Sequence, residues 1–211
     1  MGNQFPFKDI QKNLLYKSSE DGSYDIFAGL IILTFGFVPI LDESGMSPVV
    51  RQIILFGAYI LEITAILLLK RRITWPRLGY FVLTKKYRTK LGTILLFVNI
   101  LIFLMFVTLY LFRVKLDLEF TTYALSLPLG VAFMLMLSLA GIILGSVRFY
   151  LYGIVVLGFL MEGENLYHAG YLENFGLPAA AISSGSILLF SGLLVLFRFL
   201  KRYPLEKPSN S

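Results

Sequence analysis

The chain has 211 residues, of which 57% are hydrophobic and only 15% are charged. A soluble domain carries about 25% charged residues, and apolar runs near the length of a membrane span recur here, so the sequence predicts a membrane protein. The net charge is +6, and most basic residues flank the apolar runs, which favours anionic lipid head groups over nucleic acid as partners. The absence of Cys excludes disulfides, thiol catalysis and thiolate metal sites.

Residues 1–24 precede the first apolar run. Phe7, Ile10 and Leu14 share one helical face, which suits a short amphipathic helix in the head-group region, with a frayed terminus as the alternative. The tract SSEDGSYD is a turn-rich lead into the membrane. Because acidic residues stand in front of the first apolar run, we expect a retained span rather than a cleaved signal.

The first three predicted spans lie within the first 112 residues. The first is about Ile26–Leu41, where Gly29 and Gly36 lie on one face and would let another helix approach closely. The second is about Gln52–Leu69, after a short acidic loop. The third is about Leu91–Phe112. Each is long enough to cross the hydrocarbon core or nearly so.

The stretch Tyr123–Met161 is too long for one straight span. We therefore predict a tight turn near Gly145–Val147 that divides it into a fourth and a fifth span. The fifth, about Arg148–Met161, is short unless it extends into the following EGENLYH. A polar, acidic connection (162–177) is expected next, and then the sixth span, about Pro178–Phe199.

Lys70–Lys90 is the most basic segment, with eight Lys and Arg and no acid. Its ITWPRLGYFVL stretch is rich in β-branched and aromatic residues and is interrupted by Pro76 and Gly79, so we expect an extended or hairpin-like arm. At the membrane surface this arm would contact anionic lipid or a soluble protein partner. The residues predicted to make this contact are Lys70, Arg71, Arg72, Trp75, Arg77, Tyr80, Lys85, Lys86, Arg88 and Lys90.

The basic residues also predict an orientation. If both termini are inside, the cytoplasmic segments hold 16 of the 19 Lys and Arg, as the resistance of these residues to translocation requires. The expected architecture is an all-α, polytopic bundle of about six spans (25–199) in the cell membrane, with a cytoplasmic interfacial segment (1–24) and a cytoplasmic tail (200–211). The sequence predicts no oligomeric state.

Three segments carry a resemblance to known proteins: EDGSYDIFAGL (20–30), KRRITWPRLGYF (70–81) and FLKRYP (199–204). With them the chain resembles a family of small multi-pass membrane proteins of bacteria and archaea. Members carry an ED-G stretch before the first span, a cytoplasmic (Y/W)PRxGY segment after an early span, and a basic-aromatic-Pro ending. Trp75 stands where Tyr is commoner in the family. The resemblance implies architecture and no mechanism.

Glu62 is the sharpest candidate for a functional residue, since a carboxylate at the centre of a span costs about 2.5–3.5 kcal/mol on insertion scales. It shares a helical face with Ala58 and Ala65, which would point it at another helix. With Asn99, it would form the ion or proton site of a small solute carrier or of a larger transporter's membrane subunit. As a hydrogen-bonded packing residue, it fits a membrane-embedded interaction or accessory protein, which is the function that we expect.

Two other polar residues have plainer explanations. Arg148 is a cytoplasmic anchor if the chain turns just before it; if the helix continues, Arg148 is buried and Glu62 is the only central acid available. His168 is expected to be a surface residue, because Glu162 and Glu164 do not complete a metal shell with it. The sequence contains no catalytic, phosphate-loop or dinucleotide motif, so neither enzyme activity nor a cofactor is expected.

Overall fold

The computed structural model describes residues 16, 19–78, 126–172 and 175–204, and across these ranges the chain is helical and forms no strand. The all-α prediction is confirmed for this part of the chain. Its five long helices are α1 (Ser23–Glu43), α2 (Pro48–Leu69), α3 (Ser126–Leu144), α4 (Arg148–His168) and α5 (Gly176–Arg202).

Several predictions concern residues outside the described ranges. They are the amphipathic helix before residue 16, the third span at Leu91–Phe112, the arm beyond Leu78 and the end of the tail after Pro204. The individual side chains involved are Tyr80, Lys85, Lys86, Arg88, Lys90 and Asn99.

Four helices are long and apolar enough to cross a membrane. They are Ser23–Leu41, Pro48–Leu78, Ser126–Leu144 and Gly176–Arg202. The expected membrane character is therefore supported with four such helices among the described residues rather than six. The predicted fifth span lies in α4, whose last two turns carry Glu162 and Glu164, and α4 is not among the four.

The arm does not begin as an extended segment. α2 continues without interruption through a π-helical turn, Lys70–Thr74, into a final α-helical turn, Trp75–Leu78. The prediction of an extended or hairpin-like arm is thus wrong for these residues. Strand propensity depends strongly on context, and here contacts with the start of α1 favour the helix.

The spacing of the buried residues along this long helix explains the π turn. Its buried residues, Glu62, Ile66, Lys70 and Thr74, follow one another at intervals of four. An α-helix repeats every 3.6 residues, so side chains spaced by four drift gradually around its axis. A π turn is wider, and Lys70 and Thr74, at its two ends, both contact Asp21.

The tight turn before α4 falls where the sequence placed it. α3 ends at Leu144, and Gly145 takes a left-handed φ of 63°, which a glycine adopts at little cost. The Ser146 N–H then donates a hydrogen bond to the Gly141 carbonyl at 3.0 Å. α4 begins at Arg148, so the predicted division is confirmed.

α4 is longer than the predicted fifth span and runs to His168, so EGENLYH is helical. The prediction that an acidic connection begins at Glu162 is therefore wrong, and the chain leaves the helix only after His168. Close packing explains the extension: a Cβ on Gly163 would collide with the backbone of Gly176 at the start of α5. This contact holds the last turns of α4 against α5.

α1 packs most extensively on α5, through glycines on both helices. A Cβ on Gly29 would lie 2.5 Å from the Leu189 nitrogen, and one on Gly185 would lie 2.8 Å from the Leu33 nitrogen. Gly36 lies against α5 as well. The prediction that Gly29 and Gly36 admit a neighbouring helix is confirmed, and α5 is that helix.

The middle of the bundle is mostly apolar, with Glu62 and Ser184 as buried polar side chains. Its most deeply buried large side chains come from α1, α4 and α5: Ile32, Phe149, Val156, Leu160 and Leu188. α3 covers them with further buried aliphatic residues. The buried charged residues lie outside this cluster, and most of them lie at one end of the helices.

Candidate functional site: a buried charge cluster at one end of the bundle

The chain direction of the helices brings basic residues together. α1 and α4 begin at the same end of the bundle at which α2 and α5 finish, as the contacts of Asp21 with Lys70, Arg77 with Tyr203 and Arg148 with Asp25 establish. That end carries Lys70–Arg77, Arg148 and Arg198–Arg202. We call it the basic end.

Asp21 lies at the centre of the basic end, fully buried just before α1. Its Oδ1 accepts hydrogen bonds from the Ser23 N–H at 2.9 Å and the Ser23 hydroxyl at 2.6 Å. Its Oδ2 accepts a bond from the Thr74 hydroxyl and lies 3.2 Å from Lys70 Nζ. A buried carboxylate is stable only when it is paired and hydrogen-bonded, and these four donors meet that condition. Asp21 therefore fastens the start of α1 to the π turn.

Lys70, the partner of Asp21, is also buried. Its ammonium also lies 4.0 Å from the centroid of the Tyr24 ring, a cation–π distance. Sequence reasoning grouped Lys70 with the lipid-contacting residues, whereas the structure buries it in an intrachain ion pair. Its neighbours Arg71 and Arg72 are exposed, as a contact with lipid or a partner requires.

A second buried carboxylate, Asp25, lies one turn along α1. Arg148 Nη1 is 3.5 Å from its Oδ2. The same guanidinium donates from Nη2 to the Ser19 carbonyl at 3.1 Å and from Nε to Ser146 Oγ at 3.3 Å. Arg148 thus stands at the predicted turn, half-buried, and its acidic partner is Asp25 rather than Glu62.

The third contact at this end joins α2 to the end of α5. Arg77 donates from Nε to the Tyr203 carbonyl and from Nη1 to the Ile73 carbonyl, each at 2.9 Å. Trp75, another residue of the predicted contact set, is half-buried. Segments 20–30, 70–78 and 199–204, the described parts of the stretches that carry the family resemblance, therefore meet through Asp21 and Arg77.

Sequence reasoning missed Asp21 and Asp25. Both lie in the segment that supplied the ED-G element of the resemblance, directly before and within the first apolar run. The sequence did contain a signal for this cluster: two acids stand at the start of a span, in a chain whose other spans are flanked by basic residues. Charges at such positions are expensive unless paired, and each has its cation here.

Glu62 is buried against α1, where it accepts a hydrogen bond from the Thr34 hydroxyl. Its second oxygen, Oε2, is buried without a hydrogen-bond partner among the described residues. The prediction that Glu62 points at another helix is confirmed. The prediction that Ala58 and Ala65 share the buried face with Glu62 is only partly correct, because Ala58 is half-buried and Ala65 is exposed.

His168 ends α4 as an exposed residue, with Nε2 3.2 Å from Glu164 Oε1 one turn earlier. Glu162 contacts Asn165 instead, at 3.4 Å. Within the described ranges, no three His, Asp or Glu side chains are grouped as metal ligands. This end of α4 is a solvated polar surface.

Helices able to cross a membrane, with their buried charges gathered at one end, indicate a helical membrane protein as the class. No protein-family model matches the chain, and neither the curated proteins nor the solved structures contain a significant match. The chemistry of the buried charge cluster itself therefore indicates its role. Its two ion pairs fix how α1, α2 and α4 meet, which is the positional role best attested for buried charges.

Proposed function

We propose that this chain is a six-span protein of the cell membrane with both termini in the cytoplasm. We propose further that it acts as an accessory or interaction protein, and that it belongs with the small multi-pass prokaryotic proteins that it resembles. The gathering of basic residues at one end of the bundle supports this orientation, because Lys and Arg remain on the cytoplasmic side.

The observation that carries the accessory role is a contrast: the basic end holds buried ion pairs, whereas most buried side chains in the middle of the bundle are apolar. A carrier is expected to have broken helices and polar groups around a midplane site. The core cluster instead consists of packed apolar side chains. One cleft lined by described residues lies at the basic end and another lies along the first turns of α2, and Glu62 lines neither of these.

The partners follow from the exposed side chains of the basic end. Arg71, Arg72 and Lys201 are exposed there, and each such cation near an anionic leaflet contributes about 1 kcal/mol of attraction. Anionic head groups are the first partner that we propose, and a soluble protein with an acidic surface is the second. The buried pairs of Asp21 and Asp25 would keep this surface in a fixed shape.

A small ion or proton carrier is the alternative function. One observation favours it: Glu62 Oε2 is buried and accepts no hydrogen bond from a described residue. A vacant carboxylate oxygen inside a span can receive a cation or a proton. The two functions therefore differ in what they require of Glu62.

Glu62→Gln separates them. Gln keeps the shape and can still accept from Thr34, so the accessory role predicts melting curves that run parallel to wild type over pH 5–8, with and without Na⁺. A carrier that binds Na⁺ would be stabilised by about 2.7 kcal/mol at one hundred times its dissociation constant, and the mutation would abolish that gain. Thr34→Val is the matched control, since it removes the hydrogen bond and leaves the carboxyl group. A Na⁺- or pH-dependent wild-type shift that vanishes only in Glu62→Gln would overturn the accessory role.

A further inference from the structure

A cleft of about 420 Å³ opens at the basic end, between the turn before α4 and the last two turns of α5. This volume falls within the range of about 300–1,000 Å³ that is usual for small-molecule sites. Three arginines line the cleft, together with one acid and several hydroxyl groups. The arginines are Arg148, Arg198 and Arg202, the acid is Glu20, and Ser146 carries one of the hydroxyl groups.

Arg148 already has its partners, Asp25, Ser19 and Ser146, and so it helps to form the wall. Arg198 and Arg202 are different. Neither makes a hydrogen bond or an ion pair with any described residue. Arg202 has only a ring contact, with its guanidinium carbon 5.7 Å from the Tyr203 centroid.

Arg198 and Arg202 are four residues apart on α5, so their side chains are neighbours on the same helical face. Like charges at this spacing repel each other, and an anion between them would remove the repulsion. Glu20 is exposed on the rim and lies beyond ion-pair distance from both guanidinium groups. The described lining of the cleft therefore carries a net positive charge, with three arginines against one acid.

The opposite wall of the cleft supplies a hydrogen-bond donor. Ser146 Oγ accepts from Arg148 Nε, and so its own hydroxyl proton remains available to donate. The cleft thus presents two forked guanidinium groups on one side and a hydroxyl donor on the other. Paired N–H donors of this kind match the geometry of phosphate oxygens.

We propose that this cleft binds the phosphate group of an anionic ligand, with Arg198 and Arg202 as its principal contacts and Ser146 as a further donor. A phospholipid head group and a soluble phosphate share this chemistry. The site is distinct from the exposed Arg71 and Arg72 surface, because it is a cleft that neither of them lines. It depends on neither of the functions proposed above.

The test titrates the purified full-length protein in detergent with short-chain phosphatidic acid and, separately, with inorganic phosphate. Bound ligand is counted by native mass spectrometry. Arg198→Gln/Arg202→Gln removes the two cleft cations. Arg71→Gln/Arg72→Gln is the matched control, since it removes the same charge at the same end of the bundle but outside the cleft.

We expect one saturating equivalent for wild type and control, and at least about tenfold weaker binding for the cleft variant, because charge-assisted contacts are lost. Saturation by phosphatidic acid alone assigns a lipid head group, and saturation by phosphate assigns a soluble ligand; either outcome supports the site. No saturable binding of either probe, or equal losses in the two variants, overturns it. If the Gln variant misfolds, Arg198→Lys/Arg202→Lys keeps the charge and should still weaken binding, because Lys lacks the forked donors.

Discussion

Replacing Asp21 by Asn tests whether the buried charge cluster holds the bundle together. The substitution keeps the size of the side chain and removes its charge. The buried ammonium of Lys70 then loses its ion pair with Asp21, and the new amide group turns either a donor or a carbonyl towards it. If the amide NH₂ group takes the place of Oδ2, two donors, Lys70 Nζ and the Thr74 hydroxyl, face a third.

The expected cost is large because solvent reaches neither partner freely. The side chain of Asp21 is 0% exposed and that of Lys70 is 10% exposed. Breaking a buried pair by removing one partner destabilises a protein by about 3–5 kcal/mol. In a chain of this size each kcal/mol lowers the melting temperature by about 2–4 °C, so Asp21→Asn should melt roughly 6–20 °C below wild type.

The assay is a melting curve of the full chain in one detergent, extended to a double-mutant cycle with Lys70→Met. Met removes the buried ammonium group, so the double variant should recover much of the stability that Asp21→Asn loses. Arg71→Met is the control, because it removes an exposed charge one residue away and should move the melting temperature by about 1–2 °C at most. The stabilising role of the Asp21–Lys70 pair is refuted if Asp21→Asn lowers the melting temperature no more than Arg71→Met does. It is also refuted if the losses of stability in Asp21→Asn and Lys70→Met simply add in the double variant.

Two further predictions concern packing and orientation. Gly29→Ala should destabilise the protein by about 1–3 kcal/mol, because its Cβ meets the α5 backbone. Gly57→Ala is the control: its Cβ meets nothing within 4 Å, so the substitution should be neutral or slightly stabilising. Chemical denaturation of both variants in the same detergent checks the difference, and equal losses of stability would contradict the close approach of α1 and α5. Reporter fusions after Lys90 and at the C-terminus should both report cytoplasm, and one at Gly45 should report the outside; an outside signal at Lys90 would reverse the proposed orientation.

The helices were predictable from local features of the sequence. Apolar runs of span length located α1, α2, α3 and α5. The break before Arg148 could be predicted because Gly145 interrupts a run too long for one span. Gly29 and Gly36, seven residues apart, indicated which face of α1 meets another helix, since two turns of helix return a residue to nearly the same side.

The cluster could not be predicted because its partners are far apart in sequence. Asp21 and Lys70 are separated by 49 residues, and Arg77 and Tyr203 by 126. Periodicity reports which face of a helix is buried, but it does not report what that face meets. Without knowledge of Asp21, the β-branched and aromatic residues after Lys70 favoured an extended arm. The tertiary contacts reversed that local preference.

The π-helical turn at Lys70–Thr74 makes the number of residues in this helix matter more than their identity. Each residue of an α-helix advances the chain by about 100° around its axis. Losing or gaining one residue between Glu62 and Lys70 would turn everything that follows by that angle. Lys70 would leave Asp21, and Arg77 would leave Tyr203, although no contacting side chain had been altered. Evolution can therefore exchange the exposed apolar residues of this segment more readily than the buried Ile66, whereas an insertion or deletion there must be matched by a second change of length.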